Sequence, residues 1–145
     1  MCVHPGSRGS WRQWPPEYFA HLADRCAENG YQIVVTGTKE EATITQQVIS
    51  LMNYSPVDLT GKTGLGEVGQ LIRNAALLIS NCTGVSHIAA ATKTPSIVIS
   101  MDGEPERWGP LNKTLHKTID WTKCQDFETV LQQMQQLIAD LKKKS

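Results

Sequence analysis

Residues 81–95 read NCTGVSHIAAATKTP, and they separate two apolar runs at residues 75–79 and 96–99. This order is typical of a strand, a tight turn, a helix and a second parallel strand. The helix is predicted to begin at Thr83 and Gly84, where no bulky side chain covers its first amides. Free amides and the positive end of the helix dipole favour an anion, and helices that follow parallel strands commonly border a ligand site. The stretch therefore predicts a site for the diphosphate of a nucleotide.

The rest of the chain continues the same alternation of short apolar runs and longer stretches of helical periodicity. This pattern predicts a parallel sheet with helices on both faces. The predicted strands are residues 2–4, 32–36, 57–59, 77–80, 96–100 and 115–119. The predicted helices are residues 16–28, 40–52, 65–74, 84–93 and 127–142. The expected fold is a Rossmann-like, doubly wound α/β layer of about six parallel strands, with residues 1–145 in a single domain.

Composition narrows the classes of function. Lys and Arg number 14, as do Asp and Glu, so no overall field favours nucleic acid or an anionic membrane, and no nucleic-acid partner is predicted. The four cysteines, at positions 2, 26, 82 and 124, form no CxxC pair, which favours a reducing cytoplasm. No apolar run approaches the ~20 residues that cross a bilayer, so any membrane contact is predicted to be peripheral.

Three separated motifs carry a family resemblance. HPGS at residues 4–7 is followed by WRQWP at 11–15, GKTGL stands at 61–65, and NCTGVSHIAAA at 81–91 is followed by Pro95. Their order and spacing resemble the C-terminal half of the bacterial heptosyltransferases, glycosyltransferase family nine, over nearly the whole chain. The resemblance implies one half of a GT-B architecture that holds the nucleotide sugar ADP-heptose. It further implies inverting transfer of heptose to the lipopolysaccharide inner core, with no metal and no other cofactor.

The resemblance also implies what the chain lacks and where it works. The acceptor site, which takes the lipopolysaccharide core, and the general base of the family belong to an N-terminal domain that is missing from this sequence. The chain therefore resembles half an enzyme, and we expect it to bind the nucleotide sugar without turning it over. The implied location is the cytoplasm, including the inner face of the bacterial inner membrane.

Arg12 and Ser7 are the predicted phosphate ligands of the first loop. The resemblance aligns Arg12 with a position where relatives commonly carry a lysine. A cation there would neutralise the charge that grows on the diphosphate leaving group, so Arg12 is the predicted catalytic residue. The Ser7 hydroxyl can donate to the same phosphate oxygens, although formation of a short turn explains this serine equally well.

Residues 83–87 give the strongest local signal. The backbone amides of Thr83, Gly84 and Val85 are expected to bind phosphate oxygens. The Thr83 hydroxyl can either cap the helix or bind the ligand. His87, one turn into the helix, can donate to a phosphate or to a sugar hydroxyl, whereas a lone histidine is more commonly a satisfied structural group.

Cys82 is the main departure from the family pattern. The resemblance implies an aspartate at this position, whose carboxylate would hold hydroxyls of the donor sugar. A thiol is a weak donor and a poor acceptor, so its presence removes a charge-assisted hydrogen bond of about 1.5–3 kcal/mol. We therefore expect weak or altered sugar recognition. The sequence shows no base that could activate Cys82 as a nucleophile. Cys82 and His87 together provide only two ligands, which are too few for a zinc site.

Two further segments are predicted to reach the nucleoside. The resemblance aligns Glu41 with a glutamate that can reach the ribose, because a carboxylate accepts from two vicinal hydroxyls. Glu40 is the rival of Glu41 for this contact. The alternative role for Glu41 is that of an acidic residue that satisfies the dipole at a helix N-terminus. Lys62 and Thr63, in the loop after Gly61, are expected to lie beside the adenine. This Gly-Lys-Thr is not a P-loop, because the glycine that should precede it is absent.

Two other functions share this architecture. A sugar-nucleotide epimerase built from two Rossmann-like domains would prefer a uridine nucleotide over ADP. The second alternative is a degenerate, non-catalytic nucleotide-binding domain, in which Cys82 in place of the family aspartate would reflect the loss of catalysis. Comparing ADP with UDP separates the first alternative from the heptosyltransferase prediction.

Overall fold

The computed structural model describes residues 1–7, 13–101, 115–123 and 125–143, except for the side chain of Leu65. Six strands form one sheet in the order β3-β2-β1-β4-β5-β6, and each neighbouring pair is parallel. The strands are β1 Cys2–His4, β2 Val34–Val35, β3 Val57–Asp58, β4 Leu78–Asn81, β5 Ser96–Ser100 and β6 His116–Asp120. The predicted six-stranded parallel sheet is confirmed.

Five α-helices connect and cover these strands in the described residues. They are α1 Pro16–Glu28, α2 Ala42–Leu51, α3 Leu65–Asn74, α4 Gly84–Thr92 and α5 Phe127–Lys143. The bounds predicted for α1 and α3 are confirmed. The predicted start of α2 at residue 40 is wrong, because the chain forms a separate 3₁₀ helix over Lys39–Glu41 first. There the Glu41 amide donates to the Thr38 carbonyl, three residues back, instead of four.

The sheet is covered on both faces because its strands are apolar on both faces. Val3 and Ile79 point into the larger core, which α1, α2 and α5 complete with residues such as Phe19, Val48 and Met134. Their neighbours along the strands, Cys2 and Leu78, point into a smaller core, where α3 and α4 contribute Ile72, Val85 and Ala89. Alternation along a strand distributes side chains between two faces, so this arrangement is doubly wound as predicted.

An aromatic cluster joins the first and last thirds of the chain. Trp14 is fully buried, and its ring lies 5.1–6.1 Å from the rings of Tyr18, Phe19, Trp121 and Phe127. Ring pairs at these distances add to the stabilisation that burial alone provides. Trp14 therefore packs beneath α1, the helix that follows it.

The order of the strands creates a switch point between β1 and β4. From β1 the chain proceeds through β2 to β3 on one side, whereas β4, β5 and β6 follow on the other. Helices after β1 and β4 therefore leave on opposite faces, and a crevice opens at the carboxyl ends of these two strands. In the described part of the chain, no helix has the length and apolarity needed to cross a bilayer.

Candidate functional site

A cavity of about 610 Å³ lies at the carboxyl ends of β1, β2 and β4. Three segments supply its polar walls: the loop after β1, the start of the 3₁₀ helix after β2, and the start of α4. The start of α3 closes the remaining side with Thr63, Gly64 and Val68. We call this space the site cavity. Among the predicted site residues, it brings together Ser7, Glu41, Thr63, Thr83, Gly84 and Val85.

The start of α4 faces the site cavity with Thr83, Gly84 and Val85. Thr83 is the N-cap residue in an extended conformation, with φ −140° and ψ −173°, and its side chain makes no capping hydrogen bond. Its Oγ1 is buried and has no hydrogen-bond partner among the described residues. Ser86 Oγ instead donates to the Thr83 carbonyl, at 2.6 Å. Of the two roles predicted for the Thr83 hydroxyl, helix capping is therefore wrong.

Asn81 connects this turn to the loop after β1. Its side chain is fully buried, and Nδ2 donates to the Pro5 carbonyl at 2.8 Å and more weakly to the Gly6 carbonyl at 3.4 Å. Its Oδ1 accepts from the Trp14 amide at 2.8 Å. One amide side chain thus holds both ends of the β1–α1 loop beside the start of α4. Sequence reasoning missed this role, because Asn81 differs from an ordinary strand-end asparagine only in its distant partners.

Glu41 lies on the opposite wall of the site cavity. Its Oε1 accepts from the Thr38 amide at 2.9 Å, the carboxylate half of a capping box. The carboxylate also lies against Gly6: a Cβ added there would stand 2.2 Å from Cδ and 2.2 Å from Oε2 of Glu41. The alternative prediction, an acid that satisfies a helix N-terminus, is therefore confirmed for Oε1. The ribose contact stays a prediction.

His4 is a further residue of this wall. Its Nδ1 lies 2.9 Å from Thr36 Oγ1, and its Nε2 lies 3.6 Å from Glu41 Oε1. Burial lowers the pKa of His4 below 6.5, since a charged imidazole would lose hydration, and the Glu41 carboxylate opposes part of this shift. Its position at the end of β1, directly before Pro5 and Gly6, is the one sequence signal that could have placed it here.

Thr63 lines the site cavity, whereas Lys62, its neighbour in sequence, does not. Thr63 Oγ1 is buried, lines the site cavity and has no hydrogen-bond partner among the described residues. Lys62 is exposed and directs Nζ to the Asp58 carbonyl, 3.4 Å away. Both residues line a second cavity of about 770 Å³ between α3 and the sheet. Of the two predicted adenine contacts, the structure therefore directs only Thr63 into the site cavity.

Two other predicted residues, Cys82 and His87, lie outside the lining of the site cavity. Cys82 is half-buried, and its amide donates to the Ile99 carbonyl at 2.9 Å. His87 is exposed, because α4 turns Val85 and Ala89 towards the sheet and a residue midway between them falls on the opposite side of the helix. Arg12, the predicted catalytic residue, lies outside the described residues.

Comparison with known proteins identifies the family. The model of glycosyltransferase family 9 (heptosyltransferase) matches residues 1–138. The chain belongs to glycosyltransferase family 9. This membership confirms the resemblance from the three motifs, and it favours the heptosyltransferase prediction over the epimerase alternative.

Individual members of family 9 show the same relationship. Lipooligosaccharide heptosyltransferase 2 of Haemophilus ducreyi is 32% identical over 116 residues, which are 75% of this chain and 33% of that protein. Among solved structures, the Escherichia coli ADP-heptose lipopolysaccharide heptosyltransferase II superposes with a TM-score of 0.84 at 22% identity, over 99% of this chain and 47% of the other. E. coli heptosyltransferase WaaC with ADP gives a TM-score of 0.77 at 21% identity, over 94% and 43%.

The chain corresponds to only part of the length of these relatives. The family 9 chain spans about a third of the length of the curated relatives, and less than half of the solved chains. Those structural neighbours are GT-B heptosyltransferases. The predicted fold class, one Rossmann-like half of that architecture, is confirmed.

Proposed function

We propose that this family 9 chain is the donor-binding half of an inverting heptosyltransferase, and that it binds ADP-heptose in the site cavity. The observation that carries the proposal is the site cavity at the β1/β4 switch point, walled by the start of α4 on one side and by Glu41 on the other. The names of the relatives as heptosyltransferases support the reaction, and the WaaC structure with ADP supports the nucleotide.

The diphosphate is proposed to bind at the start of α4. The first amides of an α-helix have no acceptor within the helix, so those of Thr83, Gly84 and Val85 are suited to phosphate oxygens. Thr83 Oγ1, which lacks a described partner, would donate to the same group. Ser7, buried in the facing loop, supplies a second hydroxyl. Arg12 would neutralise the leaving diphosphate, so that no metal is required.

The nucleoside is proposed to lie on the other side of the site cavity. The Glu41 carboxylate would accept hydrogen bonds from the two ribose hydroxyls, and Thr63, which lines the site cavity, would contact the adenine. Lys62 is proposed to act at the outer rim, since its ammonium group is exposed. With the diphosphate and the nucleoside in these positions, the heptose is proposed to lie near Cys82 and His87.

Cys82 offers a test of sugar recognition. We expect Cys82→Asp to raise the affinity for ADP-heptose by about tenfold or more, because a carboxylate replaces a poor acceptor, and to leave the affinity for ADP within about twofold. Calorimetric titration of both ligands provides the comparison. Equal gains for both would contradict a sugar contact at this position. The proposed contact of His87 predicts that His87→Ala weakens ADP-heptose binding.

The acceptor and the catalytic step are proposed to need the other half of the enzyme. The lipopolysaccharide core would bind an N-terminal domain that also supplies the general base, at the cytoplasmic face of the bacterial inner membrane. The 145-residue chain alone should therefore bind ADP-heptose without transferring heptose. Adding a separately produced N-terminal half should restore transfer if the two halves associate.

Titration of the full chain with ADP and with UDP tests the proposal. We expect heat of binding with ADP, weaker binding with UDP, and shifts in the amide resonances of Thr83, Gly84 and Val85. A preference for UDP would favour the epimerase alternative. The absence of heat and of amide shifts with both nucleotides would exclude the donor-binding function.

A further inference from the structure

Among the described residues that line the site cavity, His4 is the one titratable side chain with no part in the proposed contacts. It is 9% exposed and stands at the carboxyl end of β1, between Thr36 of β2 and Glu41 of the 3₁₀ helix. Both neighbours belong to segments distant from it in sequence, so this contact depends on the pairing of β1 with β2.

The surroundings of His4 select one tautomer. Thr36 Oγ1 lies 2.9 Å from Nδ1, and Cys2 Sγ lies 3.7 Å from Thr36 Oγ1. If the Thr36 hydroxyl donates to Nδ1, the thiol can donate to the hydroxyl, and the remaining proton of His4 sits on Nε2, facing the Glu41 carboxylate. The other tautomer would direct a nitrogen lone pair at that carboxylate. Electrostatics therefore favours a continuous chain of donors from Cys2 through Thr36 and His4 to Glu41.

This chain of donors acts on one oxygen of Glu41. Oε1 accepts from the Thr38 amide and faces the Nε2–H of His4. Oε2 rests above Gly6, and no described residue donates a hydrogen bond to it. The two neighbours of Oε1 fix the plane of the carboxylate. Because Glu41 lines the site cavity, Oε2 is the oxygen left to accept from a ligand.

We propose that His4 is a positioning residue that orients Glu41 to accept from the ribose hydroxyls of the nucleotide. The inference rests on the proposed nucleotide site, and it adds a specificity role to His4, Thr36 and Gly6. Discrimination between a ribonucleotide and a deoxyribonucleotide would then depend on His4, which need not touch the ligand.

A comparison of ADP with 2′-deoxy-ADP tests this role in the full chain. We expect wild type to bind ADP about tenfold or more tightly than 2′-deoxy-ADP, because a carboxylate loses one charge-assisted hydrogen bond to the deoxy sugar. Glu41→Gln should remove most of this preference. His4→Leu should reduce the preference to within about twofold of the Glu41→Gln value, and the double variant should lose nothing more.

The conservative variants separate positioning from structural support. His4→Gln keeps an N–H donor near Nε2 and should retain part of the preference for ADP. Thr36→Val, which preserves side-chain shape and removes the partner of Nδ1, should lower the preference at least about threefold, and it keeps the test available if His4→Leu fails to fold. A purely structural role for His4 would weaken both nucleotides equally and leave their ratio unchanged, which would overturn the inference.

Failure of the proposed function gives a different result. If wild type binds neither ADP nor 2′-deoxy-ADP, the nucleotide site itself is wrong, and the inference falls with it. If wild type binds ADP and the deoxy analogue equally well, the nucleotide site stands and the role of His4 is excluded.

Discussion

The contact between Gly6 and Glu41 shows how one missing methyl group shapes a site. Because an added Cβ would stand 2.2 Å from Oε2, Gly6→Ala should force the Glu41 carboxylate out of its place. The chain should still fold, since the displaced atoms are the end of a flexible side chain. We expect the affinity for ADP to fall about tenfold or more through loss of the ribose contact, measured by calorimetric titration.

Gly66→Ala is the matched control for this substitution. Gly66 lies in α3, and a Cβ added there meets no atom within 4 Å. Gly66 lies in the first turn of α3, so alanine should raise the free energy of unfolding by less than the ~0.5–1 kcal/mol typical of a helix interior, and it should leave ADP binding unchanged. A Gly6→Ala variant that binds ADP as tightly as wild type would contradict the proposed contact of Glu41.

Asn81 should contribute more to stability than other asparagines of the chain. Asn81→Leu would leave the Trp14 amide and the Pro5 carbonyl buried without their partners. We expect the free energy of unfolding to fall by about 2–4 kcal/mol, measured by urea denaturation. Asn74→Leu, at an exposed side chain that bonds only within its own helix, should change stability by less than about 0.5 kcal/mol. Equal losses would exclude the loop-holding role.

Single residues also mark the limit of what the sequence predicts. Thr83, Gly84 and Glu41 could be predicted as members of one site, because each follows a strand whose carboxyl end faces the same edge. The contact of His4 with Glu41 could not, since it depends on which strands are neighbours and on side-chain rotamers. Likewise, Lys62 and Thr63 both line the second cavity but only Thr63 also lines the site cavity, and no local pattern encodes that difference.

At the scale of elements, α4 offers a test in which stability and binding separate. A Cβ added at Gly84 meets no atom within 4 Å, although this residue is the first of the helix and lines the site cavity. Gly84→Ala should therefore leave the free energy of unfolding within about 0.5 kcal/mol of wild type. The new methyl group would occupy the space proposed for the diphosphate, so ADP affinity should fall at least about tenfold.

Gly69→Ala serves as the comparison, because its added Cβ also meets no atom within 4 Å and it lies in α3, away from the lining of the site cavity. It should bind ADP as wild type does. If Gly84→Ala also binds ADP normally, the diphosphate cannot lie against the start of α4.

The elements themselves could be predicted well from periodicity, and their ends less well. Helix α1 is predicted by Pro16 at its first position and by its apolar stripe, and it has the predicted bounds in the structure. Strand β2 was predicted over residues 32–36 but spans Val34–Val35, because its partner β3 contains only Val57–Asp58. The length of a strand depends on its neighbours as well as on its own sequence.

At the scale of the whole molecule, two buried histidines should make stability depend on pH. Burial lowers the pKa of His116 below 6.5, as it does for His4, and His116 Nδ1 lies 2.7 Å from Ser96 Oγ within the sheet. The unfolded chain therefore binds more protons than the folded chain below about pH 6.5. The contribution of both residues is complete above that value and is lost as the pH falls through it.

Urea denaturation at about pH 8 and about pH 5.5 measures this dependence. We expect His116→Asn, whose amide can replace Nδ1 as a partner of Ser96, to lose less stability on acidification than wild type does. His21→Asn, at an exposed position, provides the control for the substitution itself. Identical acid sensitivity in wild type and His116→Asn would exclude a contribution from His116.

The aromatic cluster around Trp14 has a practical consequence for all these measurements. The Trp14 ring contacts residues from α1, the end of β6 and α5, while its amide is held by Asn81 beside the start of α4. Indole emission shifts to longer wavelength when water reaches the ring. The protein thus contains an intrinsic fluorophore whose environment changes when the layers of the fold separate, and its unfolding can be followed without an attached label.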